Sequence, residues 1–349
     1  MFKQVDTLNK DSLYRFPPEW ETQEAVWFAW TTRQDLWDGY LETVQARFIE
    51  LYRLCSNFQK VNILCPESEQ SNLLQLLDLK EPKYEIIIHN YETDDVWIRD
   101  YGPIFLKQKS EGRLLSSDWL FNAWGGKFDL FQKDNAVPKW LSGRLHIENI
   151  SYSKILEGGA IETNGEGFLC TTKSVLENPN RKFQDEVINW DDLLCQSLGV
   201  ETVLWFSHGM YNDDTDGHID NVLRFAPGHR MLYTNETNQE SPNFVPLKQI
   251  EAQLKSYAKG PLKGYEFHTL PVPDPIFVDG AMASASYANY LILNGAVIVP
   301  SFGQAKDKEA LSIIKSCFPD REVIGFNCLE IIREGGGLHC MSLNQPLVH

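Results

Sequence analysis

This 349-residue sequence predicts an α/β fold built from a repeating hairpin–helix–strand unit. Two observations carry that reading. Short apolar segments come in pairs split by Gly- or Asn-containing turns, and stretches with helical apolar spacing lie between the pairs. The pairs are DDVWIRDYGPIFLKQKSEGRLLSS (94–117), ILEGGAIETNGEGFLCTT (155–172), TDGHIDNVLRFAPGHRMLYT (215–234) and SYANYLILNGAVIVPSF (286–302). Their turns are SEG, NGEG, APGH and Asn294-Gly295, residues that supply the positive φ of tight hairpins.

The helix-like stretches follow. Over 43–57, Val44, Phe48, Leu51, Leu54 and Cys55 fall on one face. Over 183–199, Val187, Trp190, Leu194 and Leu198 do the same, and Gly199 ends the run as a C-cap. Over 307–319 the device recurs, with Pro319 as the stop. Each unit is too small to bury its own apolar face. The units must share a core, which makes residues 1–349 one domain. A cyclic arrangement would bring the start of each hairpin toward a common centre.

Composition narrows the function. Hydrophobic residues make up 43% and charged residues 23%, so a packed core is affordable and global disorder is excluded. The net charge of −16 argues against nucleic-acid and anionic-membrane partners. It suits a small cationic substrate, and it equally suits an ordinary acidic, well-solvated surface. The seven cysteines include no CxxC pair, which disfavours a disulfide framework or a structural zinc site. A reducing, cytoplasmic setting is the expectation, since the first twenty residues show no apolar leader and no apolar run reaches membrane-spanning length.

Four hairpin starts carry groups capable of chemistry. His218 and Asp220 are two apart, so on an extended strand they share a face. They form either a proton-transfer pair or a hydrogen-bonded turn. Asp100 precedes Gly102-Pro103, where an Asp also commonly braces a turn. Glu157 precedes two glycines that permit close backbone approach. Cys340 follows Gly335-Gly336-Gly337, where a thiol can sit at a pocket floor as a nucleophile or be buried as a small hydrophobe. Cys55, Cys195 and Cys317 read as core residues within helical patterns, and Cys170 and Cys328 also read as structural.

Together these segments resemble the agmatine deiminase family, which includes the bacterial-type peptidyl-arginine deiminases. The resemblance runs from FPPEWETQEAVWFAW (16–30) to LNQP (343–346), through DDVWIRDYGP, FNAWGGKFD, LEGGAIETNGEG, ENPNR, TDGHIDN, FPDREVIG and GGGLHC. It implies a pentein-type, five-bladed α/β propeller with one central active site. It implies Cys340 as nucleophile, His218 as general acid/base, Asp100 and Asp220 as the carboxylates that grip a guanidinium, and Glu157 as the acid that positions the histidine. It implies no metal and no organic cofactor, a small cationic guanidino substrate, a place in putrescine and polyamine metabolism, and room for a homo-oligomer.

Substrate choice turns on the far end of the guanidine. Agmatine ends in an amine, for which Asp94, Asp95, Asp213 and Asp214 are candidates, with Trp97 and Trp124 flanking the alkyl chain. Free or peptidyl arginine needs a cation near the mouth, for which Arg224 and Arg333 are candidates. Amidino transfer to an amine, and binding without catalysis, are the remaining readings.

Overall fold

The structure, a computed structural model, describes residues 13–78, 82–183 and 186–348. Positions 184 and 185 of the predicted 183–199 helix, and residues 1–12 of the N-terminal stretch, lie outside the described residues.

Mixed α/β architecture is observed, and the repeat is visible in the hydrogen-bond pattern. Ile104–Gln108 pairs antiparallel with Leu114–Leu120, the chain crosses over through helix Val137–Leu145, and Glu148–Ile155 adds parallel. Ile161–Thr163, Phe168–Thr172, helix Trp190–Leu198 and Thr202–Phe206 repeat this. So do Leu223–Ala226, Arg230–Asn235, helix Phe244–Tyr257 and Glu266–Pro271. Leu291–Ile292, Ala296–Ser301, helix Ala305–Cys317 and Glu322–Asn327 form a fourth copy.

A fifth copy is split between distant parts of the chain. Leu343–Pro346 pairs antiparallel with Gln23–Ala29, which continues through helix Leu41–Cys55 to the parallel strand Lys60–Cys65. Helix Glu67–Leu77 and strand Ile86–Asn90 extend that sheet. Its two hairpin strands lie more than 300 residues apart in sequence, as the Leu343–Trp27 pairing shows. No turn chemistry could announce it.

Apolar faces packed between each sheet and its helix form the core. Helix Leu41–Cys55 buries Val44, Phe48, Leu51, Tyr52 and Cys55 against Phe28 and Ile63. The Tyr52 hydroxyl donates to the Ala29 carbonyl at 3.2 Å, so its polar end is satisfied inside the core. Cys55, Cys170, Cys317 and Cys328 are buried as expected, and Cys195 is half-buried.

Three local expectations need correction. Val187 is 96% exposed and precedes the helix, because Asn189 caps the start by accepting from Asp192 N–H. Asn294-Gly295 does not use positive φ. Asn294 instead accepts from Gln23 N–H and donates to the Gln23 carbonyl, both at 2.8 Å, tying the fourth sheet to the split one. His218 and Asp220 do not lie on a strand: Ile219–Asn221 is a single 3-10 turn that begins after His218.

Candidate active site

The segment leading into each hairpin delivers a side chain to one place. Helix Ile98–Tyr101 carries Asp100, and Glu157 precedes the turn Gly158–Ala160. His218 and Asp220 flank Ile219, Asn289 precedes Leu291–Ile292, and Cys340 precedes Leu343–Pro346. Gly159 lies at the crowded centre. A Cβ there would stand 2.6 Å from Asp100 Oδ1 and from His218 Nδ1, and 3.0 Å from Asp220 Oδ2. Only glycine lets these three groups approach each other. The short turns compensate for the wrong strand expectation: His218 and Asp220 still reach the same cluster.

Cys340 is 4% exposed. Its sulfur receives a hydrogen bond from Asn289 Nδ2 at 3.0 Å and lies 3.6 Å from Asp220 Oδ2. Asn289 Oδ1 also accepts from the backbone N–H of His339 at 2.9 Å, fixing the turn that presents the sulfur. Burial, then the Asp220 and Asp100 carboxylates, push the Cys340 thiol well above its usual range.

The two carboxylates beside it differ. Asp100 accepts from the Trp124 indole N–H at 2.9 Å and from Gly159 N–H at 3.0 Å. Burial raises it to about 6, with Asp220 and Glu157 adding to the rise and His218 opposing it. Asp220 accepts from His339 Nδ1 at 2.8 Å. Burial is the largest influence and works against its charge, but His339, His218 and Arg224 together hold the carboxyl below the usual range. His218 is fully buried with Nδ1 3.5 Å from Asp100 Oδ1. Burial favours its neutral form, yet Asp100, Glu157 and Asp220 together raise its pKa above the ordinary value.

Glu157 is placed at the site but is bound to a cation. Its Oε1 accepts from Arg181 Nε at 2.7 Å, and both side chains are fully buried. Arg181 also pairs with Asp216 and donates to the Thr215 carbonyl. Glu157 acts on His218 through charge, while Oε2 has no hydrogen-bond partner among the described residues. The same is true of both His218 ring nitrogens and of Asp220 Oδ1. Four orphaned polar atoms in one buried cluster mark a place prepared for a ligand.

A cleft of about 400 Å³ opens onto this cluster. Trp97, Trp124, Asp214 and Glu334 line it, with Asp100 and Cys340 at its floor. Trp124 adopts the left-handed region, φ 53°, which turns its indole onto Asp100. Gly336 packs against Trp97, where a Cβ would come within 2.3 Å of the ring. Burial, then Asp213, raises the Asp214 carboxyl. Burial, then Asp95, pushes Glu334 to about 7.

The remaining sequence candidates are accounted for elsewhere. Asp94 accepts from Lys133 N–H at 2.9 Å, and Asp213 braces Thr215 and Asn221. Asp95 accepts from Val96 N–H and is pushed to about 7 by burial. None of these three lines the cleft. Arg224 is fully buried and saturated by Glu162, Glu19 and the carbonyls of Ala288 and Tyr290, so it cannot bind a substrate carboxylate. Arg333 lies over the Tyr40 ring, 3.7 Å from its centroid.

Asn289, His339, Glu19, Arg181 and Glu334 were missed from sequence. One signal existed for Asn289: it holds the position before the fourth hairpin that Asp100, Glu157 and Asp220 hold before theirs. Arg181 lies in ENPNR and His339 beside Cys340, but nothing local in sequence shows what they touch.

A sequence profile of the Porphyromonas-type peptidyl-arginine deiminases matches residues 15–346. The agmatine deiminase of Stutzerimonas stutzeri (strain A1501) is 32% identical, with 95% of each chain covered. Among solved structures, the agmatine deiminase of Enterococcus faecalis is 29% identical with a TM-score of 0.90, covering 99% of both chains. A cysteine-to-serine variant of the C. jejuni agmatine deiminase with substrate bound is 30% identical with a TM-score of 0.87, covering 96% of this chain and 97% of that one. Likeness of this extent spans nearly the whole chain, and so this chain belongs to the Porphyromonas-type peptidyl-arginine deiminase family, alongside the agmatine deiminases, and is a hydrolase of amidine C–N bonds.

Proposed function

We propose that this protein hydrolyses the guanidinium of agmatine to N-carbamoylputrescine and ammonia through a covalent thiouronium on Cys340. The observation that carries the reading is the set of buried atoms without a hydrogen-bond partner among the described residues, Asp220 Oδ1, both His218 nitrogens and Glu157 Oε2, in the cluster whose Asp220 lies beside the Cys340 sulfur. The five copies of one strand pattern support a five-bladed α/β propeller as a single catalytic domain around that point.

A guanidinium is planar and cationic, and its N–H groups suit two facing carboxylates. Asp100 and Asp220 hold it with its carbon over the Cys340 sulfur. The substrate's charge cancels the two carboxylates that oppose a thiolate, so binding itself releases the thiol proton to solvent. The thiolate forms a C–S bond, and protonated His218 gives its proton to the departing nitrogen, which leaves as ammonia. Neutral His218 then takes a proton from water. The water oxygen attacks the thiouronium carbon, the C–S bond breaks, the remaining hydroxyl proton passes to solvent, and the thiolate is restored as the neutral ureido product forms.

Agmatine is favoured over arginine because the cleft walls are acidic. Asp214 and Glu334 line it, and Asp95 lies behind Glu334. Such a wall attracts an amine and repels a carboxylate. Trp97 and Trp124 flank the butyl chain between the two ends. The test is to supply agmatine, free arginine and a peptide ending in arginine in parallel, and to measure ammonia and ureido product. Rapid turnover of agmatine, abolished in Cys340→Ala, is expected. Full activity in that variant would overturn the mechanism, and turnover of an arginine substrate alone would overturn the substrate assignment.

A further inference from the structure

His339 adjoins Cys340 but points away from the cleft. Its ring is 1% exposed and bridges two carboxylates. Nδ1 lies 2.8 Å from Asp220 Oδ2, and Nε2 lies 2.8 Å from Glu19 Oε1. An ionised carboxylate only accepts, so the ring donates from both nitrogens. Glu19 is anchored in turn by Arg99 Nη1 at 2.9 Å and by Arg224 Nη2 at 2.7 Å. Arg224 is itself locked by Glu162 at 3.0 Å. The chain of contacts thus runs from the reacting sulfur's neighbour to two buried arginines without reaching the cleft.

We propose that His339 is a positioning residue, clamping Asp220 Oδ2 against Glu19 so that Oδ1 is held out, ionised, for the guanidinium. Asp220 has two oxygens with different surroundings: Oδ2 is held by His339 at 2.8 Å, with the Cys340 sulfur also 3.6 Å from it, and Oδ1 has no hydrogen-bond partner among the described residues. A buried carboxylate held by one strong donor has one orientation, and His339 sets it. The groups facing Asp220 are His218 two residues before it, His339 and Cys340 after the glycine run, Asp100 on helix Ile98–Tyr101, and Arg224 on the following strand. Among these, His339 makes the one short hydrogen bond to it, at 2.8 Å, and without that donor only the charges of His218 and Arg224 are left to oppose burial. This inference rests on the proposed deimination.

The experiment compares His339→Leu with the unaltered protein. Agmatine binding is measured calorimetrically in a Cys340→Ala background, and kcat/KM is measured from pH 5 to 9. Loss of one hydrogen bond to a charged group predicts affinity weakened by about 10- to 100-fold. The acid limb of kcat/KM is expected to move to higher pH, so that part of the loss is recovered in alkali. A merely structural role predicts a loss of the same size at every pH with unchanged affinity, and that result would overturn the clamp. If His339→Leu does not fold, Glu19→Gln replaces it. That variant keeps an acceptor for Nε2 but removes its charge, so a smaller shift of the same limb is expected and no shift would overturn the proposal. Should the unaltered protein act on no guanidine, the deimination reading fails by itself. Crystal structures of the unaltered and His339→Leu proteins then decide the clamp: an Asp220 carboxylate rotated out of place supports it, and an unmoved one overturns it.

Discussion

The two carboxylates on either side of Cys340 are the same residue type at similar depth, yet the protein treats them oppositely. Asp100 is held by neutral donors, an indole N–H and a backbone N–H, and burial lifts it to about 6. Asp220 is held by His339, with Arg224 behind, and stays below its usual range. One side of the site is built from packing and dipoles, the other from a network of buried charges. The difference teaches that a neutral cradle leaves a buried acid near the edge of ionisation, whereas a cationic donor keeps it charged. The sulfur sits between a carboxylate that can take a proton in the working range and one that cannot.

Stability should separate the two sides most sharply. Asp220→Asn leaves His339, Glu19 and two buried arginines with an imbalance of charge, and should cost about 3–5 kcal/mol. Asp100→Asn removes a carboxylate that burial already opposes, and should stay within about 1 kcal/mol of the unaltered protein. Denaturant unfolding at pH 8 checks both, and equal losses would erase the distinction. The pH signs are opposite too. Asp220 and Glu19 are held below their unfolded values, so their contribution is present above about pH 4 and is lost as pH falls through the folded values. Asp100 is raised, so between about pH 4 and 6 the folded state keeps a proton that the unfolded chain has released. Its contribution therefore declines as pH rises through that window.

A methyl group tests whether the two sides must touch. Gly159→Ala would drive a Cβ into Asp100, His218 and Asp220 together. Displacement of reacting groups by a fraction of an ångström to an ångström predicts a loss of about 100-fold in kcat. Circular dichroism should show the fold kept. Activity near that of the unaltered protein would mean that the groups have slack.

Legibility in the sequence followed the same division. The four continuous hairpins could be read because their turns are local, and Gly165, Gly167 and Gly228 do take positive φ. The fifth could not, since Leu343 and Trp27 meet only in space. Asp100, His218, Asp220 and Cys340 stood out because each sits beside a glycine turn at the start of a unit. The charged side behind them did not. Glu19 lies 320 residues from His339, and Arg224 reads as an ordinary strand residue until Glu19 and Glu162 are seen around it. Asp94 and Asp213 were misassigned for the converse reason: sequence proximity to the site said nothing about which way their side chains bond. Asp214, one residue beyond Asp213, does line the cleft.

The gentlest probe of the neutral side is Trp124→Phe. It keeps an aromatic wall on the cleft and removes only the N–H that Asp100 Oδ2 accepts at 2.9 Å. Asp100 would lose one of its two donors, and burial would then push it further above about 6. The carboxylate that grips the guanidinium would become protonated nearer neutral pH. A loss of about 10-fold in kcat/KM at pH 7 is expected, with most of it regained by pH 9. Asp220, with its separate donor, should not respond, so the alkaline rate should approach that of the unaltered protein. If the deficit persisted unchanged at pH 9, Trp124 would matter for the shape of the cleft and not for the charge on Asp100. The neutral cradle would then have no electrostatic task of its own.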